Sequence, residues 1–264
     1  MYAPRSGELR LQLLGDWCLV YDVRHNGSAD RNGAADVDGP TEQIVLPSGP
    51  QHFIAFLALN GRSARTQVAA TLWPDSTDAV ANARLRAVLW RLGHRHSGVP
   101  PLLDLRGSSL ALASWVAVDV HALKAAAEVL IHDCDGSAAE KAAGEVLNAA
   151  ELLPGWYDDW VLAARERLHY LRLSALDALA SCRRLQHRRY EALQAARAAI
   201  GLEPLHETAH RTIVRTHLDS GDIVEAVTHY TRYRAMLDRE LGLAPSHLFT
   251  QLVDPYLTSL RKVR

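Results

Sequence analysis

Apolar and polar positions alternate over residues 9–13 (LRLQL), with Leu9, Leu11 and Leu13 on one side and Arg10 and Gln12 on the other. That period of two predicts a half-buried strand. A second strand is predicted over 18–23 (CLVYDV). From 24 to 43 the sequence RHNGSADRNGAADVDGPTEQ offers almost nothing to bury and predicts a long mobile loop. A short strand, IVLP (44–47), closes this β-rich start. The period then changes to that of helices. Residues 50–59 (PQHFIAFLAL) are nearly all apolar and predict a buried helix closed by Asn60-Gly61. Residues 64–72 (ARTQVAATL) predict a second short helix with Ser63 as N-cap, stopped by Trp73-Pro74. A third begins near Asp78, with Ala81, Leu85, Val88, Leu89 and Leu92 forming one buried stripe. At about 100° per residue, Arg84, Arg91 and Arg95 fall on one flank of that stripe, and Asn82, Arg86 and Trp90 on the other. After a Gly/Pro break, LLDL-RGSS-LALA (102–113) predicts a β-hairpin around a tight polar turn.

Past Val118-Asp119-Val120 the strand signal stops. Helices are predicted over about 121–132, 137–151, 158–185, 188–201, 205–219, 222–241 and 246–262. Within them, RYEALQAARAAIGLEP (189–204) is echoed by DIVEAVTHYTRYRAMLDRELGLAP (222–245). Glu191-Ala192-Leu193 and Glu225-Ala226-Val227 stand 34 residues apart, the period of a tetratricopeptide helix pair. The closing steps Leu202–Pro204 and Leu243–Pro245 are 41 apart, so the first helix of the second copy should run two turns longer.

Charge sharpens this division. The whole chain of 264 residues has a net charge of −1, but residues 43–113 hold seven arginines (Arg62, Arg65, Arg84, Arg86, Arg91, Arg95, Arg106) against Asp75, Asp78 and Asp104, a local +4. Residues 114–264 carry 18 basic against 20 acidic side chains. A basic block in a near-neutral chain fits one domain that faces DNA and one that meets protein. Cys18, Cys134 and Cys182 form no CxxC pair, which argues for a reducing compartment and against a disulfide scaffold or zinc site. The N-terminus lacks the apolar stretch of a secretory signal, and no apolar run approaches the ~20 residues of a membrane span, so the expectation is a soluble, cytoplasmic (nucleoid-associated) protein.

No catalytic constellation is present: there is no GxxxxGK[ST] loop, no GxSxG elbow and no HExxH. His94 and His96, two residues apart, point to different faces of a helix, and no metal or cofactor is expected. Asp158-Asp159 suit the positive end of the long helix. Trp156, Tyr157 and Trp160, with Leu152 and Leu153, read as core. A strand-rich start, three helices with the third longest and basic, and a hairpin with Arg106 at its turn together describe a winged helix-turn-helix. In that layout the third helix enters the major groove and the hairpin lies along the backbone, both tasks for arginine.

The succession of LWPD (72–75), NARLRAVLWRL (82–92), the hairpin, VDV (118–120) and LLPGWYDDWVLAARERL (152–168) resembles the SARP family of actinobacterial antibiotic regulatory proteins, over about residues 9–252. The resemblance implies a mainly α chain with a small β component: an OmpR-type winged helix-turn-helix over 1–118, then an all-α, tetratricopeptide-like bacterial transcriptional activation domain over 119–264. It further implies an activator of a secondary-metabolite (antibiotic) biosynthetic gene cluster that binds direct repeats in promoter DNA as side-by-side protomers. Such a protein recruits RNA polymerase holoenzyme through its sigma factor and other subunits. The chain also stops where the small members of the family stop, with no ATPase domain expected. Carried onto this sequence, the DNA-contacting positions are Asn82, Arg84, Arg86, Trp90 and Arg91, with Arg95 on the backbone, Arg65 and Thr66 at the start of the preceding helix, and Arg106 and Ser108 on the wing. The chain departs from the family at Gln51-His52, where a basic residue is usual, and at Gly93-His94, where another arginine is common. The competing reading is an adaptor that docks a protein on its helical repeats and does not bind DNA; an enzyme has no residues to carry it.

Overall fold

The structure is a computed structural model that describes residues 7–23, 41–93 and 101–262. It divides into two compact units, one of residues 1–122 and 150–166, the other of residues 123–149 and 167–264. The division differs from one at 118/119: the segment 150–166, read in sequence as part of the helical half, packs within the first unit.

The first unit opens with a four-stranded sheet ordered β3-β2-β1-β7, built from β1 (Gly7–Gln12), β2 (Cys18–Val23), β3 (Thr41–Gln43) and β7 (Val116–Val118). β1 is antiparallel to β2 and parallel to β7. The period-two reading holds: Leu9, Leu11 and Leu13 are buried. The third strand is a correction, because it covers 41–43 and 44–47 is irregular. Ile44 and Leu46 are still buried, Ile44 through a backbone bond to the Leu19 carbonyl at 2.8 Å, so their apolar alternation reflects burial without a ladder. The rest of the loop predicted over 24–43 lies outside the described residues.

Helices α1 (Ser48–Asn60), α2 (Arg65–Leu72) and α3 (Asp78–Gly93) follow, with β4 (Ser63–Ala64) between the first two. Ser63 is not the N-cap of α2: it pairs with Leu110 in β4, and its hydroxyl donates to the Gly61 carbonyl. The four-residue spacer is drawn through β4 into a second sheet, β4-β6-β5, whose other strands are the predicted hairpin, β5 (Leu103–Arg106) and β6 (Ser109–Leu112). The hairpin turns at Gly107-Ser108, and Gly107 at φ 58° takes the left-handed conformation that glycine adopts without steric cost.

The Leu-Leu-Pro-Gly-Trp segment is a backbone staple of this unit. Leu152 bridges Leu14, the Gly15 N–H donates to the Glu151 carbonyl at 2.7 Å, and the Leu153 N–H donates to the Leu13 carbonyl at 2.8 Å. Arg165 then donates to the carbonyls of Leu152, Leu153 and Trp156 at 2.9–3.2 Å and pairs with Glu151. This gives the LLPGWYDDW…ARERL pattern a physical role, since one guanidinium satisfies carbonyls that a tight turn leaves without a ladder. His52 stacks on Trp156 at 3.9 Å between ring centres, and its Nε2 lies 3.4 Å from Asp158. Leu152, Leu153 and Trp160 are core as expected, whereas Tyr157 is 76% exposed, a correction to the reading of all three aromatics as core. Tyr157 belongs to the irregular stretch 156–158 between the Pro154-Gly155 turn and α6.

The second unit is helical: the greater part of α4 (Asp119–His132), α5 (Gly136–Asn148), most of α6 (Asp159–Leu185), α7 (Arg189–Leu202), α8 (Glu207–Asp219), α9 (Ile223–Leu241) and α10 (His247–Lys262). From α7 onward each helix packs on its chain neighbour, the arrangement that the 34-residue echo predicts. Ala192 and Ala226, the matched small residues, are both fully buried. Helix α9 has 19 residues to the 14 of α7, a surplus shorter than two turns, and it ends at Gly242 in the left-handed conformation. Tyr230, Tyr233, Leu237, Phe249 and Val253 make the α9–α10 core.

Cys134 and Cys182 form a disulfide between the α4–α5 turn and α6. The expectation that no disulfide forms is corrected: a separation of 48 residues is invisible to a spacing rule, and the helix packing brings the sulfurs together. Beside it lies Arg183, 2% exposed, which donates to the Cys134 carbonyl at 3.3 Å and pairs with Glu140 and Glu191 at 3.1 and 3.4 Å.

Candidate nucleic-acid interface

Three buried side chains hold α3 to its unit: Ala81, Leu85 and Val88, at 2, 2 and 5% exposure. Leu89 and Leu92 are half-buried at the margin of the same stripe. This orientation turns the charged positions outward. Arg84, Arg86 and Arg91 are exposed, and Trp90 keeps 64% of its surface. Asn82 is half-buried and donates an amide hydrogen to the Asp78 carbonyl at 2.8 Å, so it is turned back along its own helix. Arg95 lies outside the described residues, as do His94 and His96. Among the described residues, α3 extends as far as Gly93.

Helix α2 packs against α3 and presents Arg65, half-buried, and Thr66, exposed, in its first turn. Its start is tied to the hairpin, because the Arg65 N–H donates to the Ser108 carbonyl at 2.9 Å. Arg65, Thr66 and Ser108 therefore share one neighbourhood, although they are more than 40 positions apart in sequence. Exposed Arg106 flanks the turn, and its Nε donates to Asp104. Asp104 also accepts from Arg62, and these two arginines, Arg62 first, hold its carboxyl below the usual carboxylate range. Arg62 further donates to the Ser109 hydroxyl at 3.2 Å.

Two of these features were not legible in the chain. Arg62 counts toward the basic block, but nothing in its spacing marks it as a partner of the hairpin, which only the β4–β6 pairing makes it. Gln51 and His52, where a phosphate contact would be usual, are engaged internally: Gln51 donates to the Leu46 carbonyl at 2.8 Å, and His52 lies against Trp156 and within 2.9 Å of the Ser48 carbonyl.

The arrangement presents a basic helix and a basic hairpin turn, joined through the start of α2, with apolar groups holding α3 from behind. Arginines on such a helix reach phosphates and guanine edges by the same forked geometry. Among the described residues, no helix is long and apolar enough to cross a membrane.

The family described as bacterial transcriptional activator domain matches residues 116–254. Among solved structures, the chain is similar to Mycobacterium tuberculosis EmbR in complex with a low affinity phosphopeptide, with a TM-score of 0.61 at 16% identity. That match covers 96% of this chain and 66% of the other, so this chain spans less than two thirds of its length. At this identity the likeness speaks to the fold, a winged helix-turn-helix followed by tetratricopeptide-like helices. No curated protein matches.

Proposed function

Because the chain belongs to the bacterial transcriptional activator domain family, as a transcriptional activator of SARP type, we propose that it binds direct repeats in promoter DNA and activates a secondary-metabolite (antibiotic) gene cluster. The observation that carries this reading is the outward face of α3: Arg84, Arg86 and Arg91 all exposed on a helix anchored by Ala81, Leu85 and Val88. Helix α3 lies in the major groove, and Arg106 with the Gly107-Ser108 turn follows the backbone. Arg65 and Thr66 place the start of α2 at a phosphate, where a helix N-terminus favours an anion. Affinity comes largely from counterion release and sequence preference from base-edge contacts. The helical unit sets two protomers side by side on adjacent repeats and engages the sigma factor and other subunits of RNA polymerase. It acts by binding, in the bacterial cytoplasm, without catalysing a reaction.

A gel-shift titration on the promoters of any biosynthetic gene cluster found beside its gene tests this. The full chain is expected to shift a fragment carrying two repeats. Arg86→Ala/Arg91→Ala should lose the shift while its circular dichroism is unchanged. Equal binding by the variant would refute the assignment of α3.

A further inference from the structure

Helix α3 is apolar along two lines. One is the buried stripe through Ala81, Leu85 and Val88. The other faces solvent: Val80, Ala83 and Ala87, spaced i, i+3, i+7, are all exposed, Val80 to 46%. At about 100° per residue the arginines lie to either side of this outer line, Arg84 and Arg91 on one flank and Arg86 on the other. An ordinary solvent face carries its long charged side chains at the centre. From Val80 to Ala87 the centre is short and uncharged, and exposed Trp90, three residues further on, bounds it. Helix propensity alone would account for the two alanines, but it disfavours an exposed valine.

Such a surface has two physical consequences. No side chain longer than valine on Val80, Ala83 or Ala87 holds the helix axis away from a partner. At closest approach these three present methyl groups only, with no donor or acceptor. The floor of the DNA major groove offers one apolar group, the C5-methyl of thymine, between two walls of phosphate. Arginines on both flanks match the walls in charge.

We propose that Val80, Ala83 and Ala87 form a thymine-reading line, packing on thymine C5-methyl groups while Arg84, Arg86 and Arg91 straddle the groove. This rests on the DNA-binding reading above and specifies which base that helix selects. Polar readout by Asn82 is not required, since its amide is turned toward Asp78.

The test uses the full chain and a duplex enriched from random sequence by in vitro selection, with binding followed by fluorescence anisotropy at fixed salt. Each thymine is replaced in turn by deoxyuridine, which removes the methyl and keeps the Watson–Crick and other major-groove hydrogen-bonding groups. At one or two positions per repeat the Kd should rise about four-fold, the factor that burial of one methyl-sized group corresponds to. In Ala83→Ser or Ala87→Ser, each verified as folded by circular dichroism, the same replacement should change Kd less than two-fold, because the methyl no longer meets a methyl. If every deoxyuridine duplex binds like its parent while Arg86→Ala/Arg91→Ala still weakens binding, the thymine line is refuted and DNA binding by α3 stands. If no duplex is enriched, or if the arginine variant binds as wild type, both readings fall.

Discussion

Breaking the Cys134–Cys182 bond should lower the melting temperature of the helical unit by about 10 °C. The bond closes a loop of 48 residues between the α4–α5 turn and α6. In the chain-entropy treatment, freeing such a loop returns about 14 cal/mol/K to the unfolded ensemble, or about 4 kcal/mol at 25 °C. Part of that is offset, because Arg183 still joins the Cys134 carbonyl, Glu140 and Glu191, and Gln186 still donates to Asp135. A net loss of about 3 kcal/mol, at roughly 3–4 °C per kcal/mol for a unit of this size, gives the expected shift. Differential scanning calorimetry of the full chain with and without dithiothreitol measures it, with Cys134→Ser/Cys182→Ser matching the reduced protein. Cys18→Ser serves as the control, since Cys18 lies in β2 and forms no disulfide. A melting temperature indifferent to reductant, or three titratable thiols in the unreduced folded protein, would refute the reasoning.

Other perturbations probe the interior. Burial first, then the charges of His210, His217, Arg197 and Arg232, push His229 down to about 4. The folded unit thus binds fewer protons than the unfolded chain between about pH 6.5 and 4, so the stability contributed by neutral His229 is complete above pH 6.5 and is lost as pH falls through that window. His206, raised chiefly by its hydrogen bond to Asp177, contributes in the opposite sense, and its share is lost as pH rises above 6.5. Urea melts of wild type and His229→Asn from pH 7 to 4 should show the acid loss flattened in the variant; parallel profiles would contradict this. Arg183→Met should cost about 2–3 kcal/mol, less than a fully buried pair because Glu140 and Glu191 reach solvent, as read from the urea midpoint. Asp119 accepts from the Leu13 and Leu14 N–H groups at 2.8–3.0 Å, so Asp119→Ala should cost about 1–3 kcal/mol by the same measurement.

The elements that sequence pattern reveals are those whose periodicity is local. Leu9, Leu11 and Leu13 announce their strand, and Ala81, Leu85 and Val88 announce the inward face of α3, because burial of one side imposes the repeat directly. The outward direction of Arg84, Arg86 and Arg91 follows from the same geometry. What depends on distant partners was not legible. Ser63 has the chemistry of an N-cap, yet pairing with Leu110 takes it into β4. Cys134 and Cys182 look isolated until α6 is laid beside the α4–α5 turn. Tyr157 looks like its neighbours Trp156 and Trp160, but the Leu-Leu-Pro-Gly turn sends it outward. In each case the deciding contact lies more than 40 residues away or depends on a turn whose shape residue type does not reveal.

Salt dependence of promoter binding tests DNA recognition by α3 most directly. With on the order of four phosphate contacts per protomer, log K should fall with log salt at a slope of about −3 to −4 per protomer. Arg84→Ala/Arg91→Ala, which strips one flank of the helix, should reduce the steepness by about 2 and weaken binding across sequences. A variant with the same slope and affinity as wild type would contradict the placement of α3 against the phosphate backbone.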